Sequence, residues 1–233
     1  MQKVIYLLWR DSRANAEDFF REVRTELADR LVRLGARHLQ LNLDDADVRP
    51  ADGLRQEQAG ELPQAVVSFW LDSAVGEFRR PYDEVLQAAC ARIAGYLVCE
   101  SVPIPNTRFP ARAGQRTHGF SQLALLQRPA RLTHEAWLAI WQNHHTRVAI
   151  DTQDNFQYVQ NLVVQVLTPG AAPLAAIVEE CFPPAAMTDP MAFFDAPGDE
   201  AKFQDNLAVM MDSCQRFIDF DQLGVVLTSQ YPQ

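Results

Sequence analysis

The side chains best placed to do chemistry in this sequence lie on one short stretch: Trp137 and Trp141, four residues apart, followed by His144 and His145. Imidazole is the side chain whose ordinary pKa lies nearest neutrality. At the edge of a buried aromatic face it can act as acid, base or ligand-orienting donor. On a helical wheel with Trp137 at zero, Trp141 falls at about 40°, Val148 at about 20°, His144 at about -20° and His145 at about 80°. The two imidazoles thus flank an apolar stripe. Neighbouring helix positions diverge by about 100°, so the pair cannot share a metal ion. No H-x3-H or C-x-x-C spacing suggests a metal site elsewhere.

A second polar group lies on the strand predicted over Phe156–Thr168. Tyr158, Gln160 and Leu162 share one face of it, and Val159, Asn161 and Val163 the other. Whichever amide faces the interior must find a partner. Glu179 and Glu180 also split across two faces and do not form a two-carboxylate dyad. Asp199, Glu200 and Asp205 open a helix, where acids suit the helix dipole. No phosphate-binding loop, dinucleotide fingerprint or nucleophile elbow is present.

The elements that must position these residues occur twice. Sliding residues 3–31 forward by 118 places Leu7, Leu8, Arg10 and Glu17 on Leu125, Leu126, Arg128 and Glu135 without a gap. A repeat this long reads as a duplicated domain. Where the second copy has Trp141, His144 and His145, the first has Val23, Glu26 and Leu27. The chemistry therefore belongs to one half.

Each half reads β-α-β-β-α-β. The first comprises a strand Lys3–Arg10, a helix Ala16–Leu34 capped by Asn15, strands His38–Leu43 and Ala65–Leu71, a helix Tyr82–Tyr96 and a strand Leu97–Ile104. The second comprises a strand Phe120–Gln127, a helix from the Thr133 cap to about Ile150, strands Phe156–Thr168 and Leu174–Phe182, a helix Ala201–Phe217 and a strand Leu223–Gln230. Residues 1–106 and 119–233 form the halves, and the Pro- and Arg-containing stretch 107–118 links them. This α+β pattern is the ferredoxin-like unit, whose sheet exposes one face that must be covered. Two units packed sheet to sheet cover each other, giving an internal pseudo-dimeric α+β barrel.

Composition narrows the partners. The net charge is -9 and the pI near 5.0, which argues against nucleic acid. Four widely spaced cysteines read as reduced thiols in the cytoplasm. The apolar run Val4–Trp9 is too short for a signal peptide. No run reaches the roughly 20 apolar residues of a membrane span.

The second half resembles the EthD family of dimeric α+β barrels. The residues that carry the resemblance are Trp137, Trp141 and His145 at four-residue spacing, the strand Tyr158-Val159-Gln160-Asn161, and the acid-rich Asp199-Glu200-Ala201-Lys202-Phe203-Gln204-Asp205. The resemblance implies two ferredoxin-like units in one barrel, usually as a homodimer, and this chain supplies both. A sheet edge left exposed could still pair two chains as a dimer of pseudo-dimers.

The expectation is a pocket in the second half that holds a small apolar or aromatic compound. Trp137, Trp141, Tyr158, Gln160 and Asn161 are its candidate contacts. His145, with His144, would transfer a proton in an oxidation, decarboxylation or cyclisation without a bound cofactor. The alternatives are a non-catalytic binding or accessory barrel, and a haem site with a helix histidine as axial ligand.

Overall fold

Strand β1 (Gln2–Trp9) shows how the chain sorts its side chains. Val4, Tyr6 and Leu8 enter one hydrophobic cluster, while Ile5, Leu7 and Trp9 enter another. A strand buried on both faces must lie between two layers. In the computed structural model, which describes residues 1–233, those layers are an outer shell of helices and the lumen of a closed barrel.

After β1 come α1 (Ala16–Glu22), a π-helical turn (Val23–Leu27), α2 (Ala28–Arg33), β2 (Arg37–Leu43), the short β3 (Gln56–Glu57), β4 (Ala65–Leu71), α3 (Gly76–Ala89) and β5 (Arg92–Ile104). The second half follows with β6 (Phe120–Leu126), α4 (His134–Ile140), a second π turn (Trp141–His145), α5 (Thr146–Thr152), β7 (Gln157–Val166), β8 (Ala176–Phe182), α6 (Pro190–Phe193), α7 (Glu200–Phe217) and β9 (Gly224–Pro232).

The strands lie in the spatial order β2-β4-β1-β5 in the first half and β7-β8-β6-β9 in the second. Leaving out the short β3, both are the order expected of a ferredoxin-like unit. The two sheets join edge to edge, β5 with β7 and β9 with β2, both antiparallel. This closes an eight-stranded barrel in which the sheet faces oppose one another across the lumen. With both seams closed, the free edge is the two-residue β3. The sheet-edge route to a second chain expected from the sequence is therefore not offered by this fold.

The lumen is apolar at one end, around Ile5, Leu7, Tyr96, Leu123 and Ile177. Toward the other it is polar, and there Glu179 accepts hydrogen bonds from Gln40, Asn42, Ser121 and Gln230. Lys3 pairs with Glu100 and donates to Asn161 in the same region.

One helix lies elsewhere than expected. The second helix of the first half is α3, Gly76–Ala89, with Pro81 inside it, rather than 82–96. Cys90 ends it in an extended conformation. Ala94 and Tyr96 belong to β5 and face the lumen. Gly95 between them crosses Tyr6 so closely that a Cβ there would lie 2.6 Å from the Tyr6 ring.

The two π turns fall at the same offset of 118 that aligns the sequences. Such a turn inserts one extra residue, so each residue beyond it takes the angular place of its predecessor on a straight wheel. His145 thereby takes the place expected of His144, on the buried stripe. Ala149, 1% exposed, takes that of Val148. His144 is carried out to solvent. No helix is long and apolar enough to cross a membrane.

Candidate functional site

Between the sheet of the second half and its helices lies a cavity of about 440 Å³, a size typical of small-molecule sites. The alternation of the strands builds its floor. Gln122 and Ala124 on β6, Tyr158 on β7, Val178 and Glu180 on β8 and Val225 on β9 face it. Cross-strand register sets Glu180 directly between Tyr158 and Gln122. Trp141, His145, Met210, Cys214 and Phe217 form the roof.

Two further segments close the ends. One comes from the first half. Its β2–β4 connection carries a 3-10 helix, Ala46–Leu54, capped by the Asp45 side chain. Val48 and Ala51 of that helix sink into the core of the second half. Leu54 and Gln56 line the cavity, and β3 pairs with β9. The base of this loop is pinned by an Arg55–Asp44 ion pair at 2.8 Å, with both side chains largely buried. The other segment is the insertion before α7, which brings Phe193 and Phe194 to the wall. Phe193 stacks on Phe182 at 4.3 Å between ring centroids.

Two titratable groups meet this cavity in unusual states. His145 Nδ1 lies 2.9 Å from Ser213 Oγ, and its ring packs 4.5 Å from that of Phe217. Burial, helped by the neighbouring His144, lowers its pKa to about 4, so the imidazole is neutral at neutral pH. Glu180 has the opposite problem. Burial raises its pKa to about 7, offset in part by the Asn155 side chain, which donates to Oε1 at 2.8 Å. A carboxyl group poised near neutrality inside a cavity marks a functional candidate. The Tyr158 hydroxyl and the Cys214 thiol are both pushed up, chiefly by burial and then by the charge of Glu180. The thiol reaches about 12, so neither is an anion at neutral pH. Two buried acceptors close by, Gln153 Oε1 and Asn155 Oδ1, have no hydrogen-bond partner in the protein.

The residues expected from the sequence are only partly brought together. Trp141, His145 and Tyr158 line the cavity. Trp137 stands behind Trp141 at 5.0 Å and donates from Nε1 to the Phe217 carbonyl, so it backs the wall. Gln160 sits behind Tyr158, donating to its hydroxyl at 3.0 Å and to Thr146 Oγ1 at 2.7 Å. Asn161 and His144 lie outside the cavity. Asn161 points into the lumen, where it donates to the Ile177 carbonyl, because strand alternation turns it away from Tyr158. His144 faces solvent because of the π turn.

Glu180 was considered from the sequence only as half of a split pair and given no role, and Gln153 and the loop bearing Leu54 were not singled out. Glu180 had a readable signal. It is one of two adjacent acids in the otherwise apolar β8, Ala-Ile-Val-Glu-Glu-Cys-Phe, so each must bury a carboxyl on a different face.

Comparison with known proteins agrees with this architecture. No curated protein matches the sequence. Among solved structures, an anthrone oxidase-like protein superposes with a TM-score of 0.57 at 10% identity, over 99% of this chain and 92% of that one. A chlorite dismutase from Candidatus Nitrospira defluvii gives a TM-score of 0.47 at 11% identity, over 99% and 91%. At such identity the first likeness is one of fold alone. Residues 129–221, which span the α4–α5 helix, β7, β8 and α7, match the EthD domain. Within the second half, the half that holds the cavity, the chain is thus similar to the EthD domain over residues 129–221.

Proposed function

We propose that the cavity binds a largely apolar, aromatic organic molecule and moves a proton on it, with Glu180 as the group that takes up and returns that proton. The observation that carries this reading is Glu180 itself, a carboxyl group on the floor of a mostly apolar cavity with a pKa near 7. Near that pH both protonation states are populated, which suits general acid–base work. As a carboxylate, Glu180 accepts the proton of an acidic C–H or O–H of the ligand. The electron pair of that bond stays on the ligand as a delocalised anion, and the carboxyl becomes neutral, the form that burial favours. Such an anion is common to oxidation by dioxygen, to decarboxylation and to cyclisation.

His145, uncharged and tied to Ser213, orients the ligand or relays the proton, while Trp141 and Tyr158 supply flat walls. The likeness of fold to an anthrone oxidase-like protein is consistent with an aromatic ligand.

Native mass spectrometry of the purified protein, followed by identification of any co-purifying compound, would name the substrate to assay. With it in hand, Glu180→Gln should abolish turnover while leaving affinity within a few-fold, and His145→Ala should lower both. Unchanged turnover in Glu180→Gln would overturn the assignment. Tight binding without conversion, and without pH dependence near 7, would make the protein a carrier. A Soret band on adding haem, lost in His145→Ala, would assign a haem site instead.

A further inference from the structure

No lysine or arginine lines the cavity, and His145 is uncharged there at neutral pH. When Glu180 takes a proton from the ligand, the negative charge passes from the carboxylate to the ligand. With no cation at hand, a neutral hydrogen-bond donor has to meet that charge.

Gln122 is placed to do so. On the cavity floor it stands directly opposite Glu180 across the β6–β8 pair. Opposite side chains on one face of an antiparallel pair have their Cβ atoms about 5 Å apart. The other neighbours of Gln122 on that face are Phe120 and Leu227, both buried, and Ala124, which lines the cavity. Its partial exposure is therefore exposure to the cavity. The Gln122 amide makes no hydrogen bond with the protein, and both its polar atoms remain accessible. Glu180 is in a matching condition. Its Oε1 accepts from Asn155, while Oε2 has no protein partner and is likewise accessible. An open acceptor and an open amide thus face the ligand side by side. Gln56 of β3, which also lines the cavity, lies three strands from Glu180, roughly 14 Å away.

We propose that Gln122 is a catalytic residue: its Nε2–H donates to the carbonyl oxygen of a ketone whose adjacent C–H gives its proton to Glu180 Oε2. This inference rests on the reading of Glu180 as the base of the cavity and names the substrate class. The C–H bond breaks, and its electron pair becomes the C=C bond of an enolate. The carbonyl π pair moves to oxygen, where the Gln122 amide meets it. Return of the proton from Glu180 to the same carbon restores the ketone, so exchange needs no further reactant. The spacing suits this chemistry, because the departing proton and the carbonyl oxygen sit on neighbouring carbons as the two side chains sit on neighbouring strands.

The test uses the full-length protein in D2O at neutral pD with 2-tetralone, a bicyclic ketone with acidic C–H bonds beside its carbonyl. Loss of the signals of those protons is followed by NMR. The wild type should exchange them well above the buffer background. Gln122→Met keeps the length of the side chain and removes the donor. It should lower the maximal exchange rate by about 100-fold while KM stays within about threefold. In the wild type, the side-chain 15N resonance of Gln122 should move much further on adding 2-tetralone than on adding tetralin, which lacks the carbonyl. This second measurement stands even if the variant does not fold. Exchange that is lost in Glu180→Gln but undiminished in Gln122→Met overturns the inference and leaves Glu180 as the base. Equal movement of the Gln122 resonance with both probes also overturns it. Binding of 2-tetralone without exchange in the wild type overturns proton transfer by Glu180, and this inference with it. Failure of 2-tetralone and tetralin to bind overturns the aromatic reading of the cavity and everything built on it.

Discussion

Replacing Glu180 with glutamine removes a titrating group from the floor of the cavity while keeping an acceptor for Asn155. In the folded protein the carboxyl has a pKa of about 7, against an ordinary value of 4.5. A raised carboxyl pKa means that the folded state holds its proton more tightly than the unfolded chain does. Its contribution to stability is therefore complete below about pH 4.5 and is lost as pH rises through about 7. At about 1.4 kcal/mol per pH unit, the wild type should lose about 3 kcal/mol across that window relative to Glu180→Gln. In a chain of 233 residues this is about 6–12 °C of melting temperature. The assay is a series of thermal and urea melts of both proteins from pH 4.5 to 8.5. His145 titrates in both, so the difference between them isolates Glu180. The variant should gain steadily on the wild type as pH rises and level off above about pH 8. A difference that is flat in pH would refute the claim that Glu180 is a desolvated acid, and with it the main support for proton transfer.

Other consequences can be checked in the same way. His145 has its pKa depressed from 6.5 to about 4 by burial, so its contribution is present above 6.5 and lost as pH falls toward 4. His145→Phe should therefore be less acid-sensitive than the wild type in melts between those values, and equal sensitivity would contradict a buried imidazole. Leu54→Ser, in the first half, should speed release of a ligand from the cavity of the second half by about tenfold, because it weakens the cover. An unchanged off-rate in stopped flow would show that the loop does not gate the site. At Gly119 the backbone has φ of +75°, and a Cβ would lie 1.8 Å from the Phe182 carbonyl oxygen. Gly119→Ala should cost more than about 3 kcal/mol in urea unfolding, and a cost below about 1 would contradict this geometry.

Most strands were legible as short runs rich in β-branched and aromatic residues, and β4 falls at Ala65–Leu71 in both readings. The aromatic and imidazole roof was legible from spacing alone. Three things were not. The wheel assumed a regular helix, and one extra residue in the π turn moved His145 into the place expected of His144 and carried His144 out to solvent. The helix α3 was expected from Tyr82, whereas the turn before Pro81 is already helical and the helix ends at Ala89. Parity correctly separated Glu179 from Glu180 but could not say what each would meet. Glu179 meets amides from β2 and β9 across the lumen, and Glu180 meets Asn155 and the cavity. Asn161 finds Lys3 158 positions earlier in the chain. The partners from β1 and β2 arise only when the two halves close the barrel, so no local pattern announces them.

The loop that reaches from the first half across the cavity has a counterpart. Between β7 and β8, the Thr168 hydroxyl accepts from the Gly95 backbone N–H, and Leu167 packs against the first core and accepts from Arg79. Each half thus finishes the other, but with different parts: one loop covers a cavity and the other stops a filled core. Two identical subunits would have to carry every substitution in both places at once. A single chain is free of that symmetry. Leu27 fills with packing the position that His145 takes beside the cavity, and the first half can specialise as cover and buttress for the other.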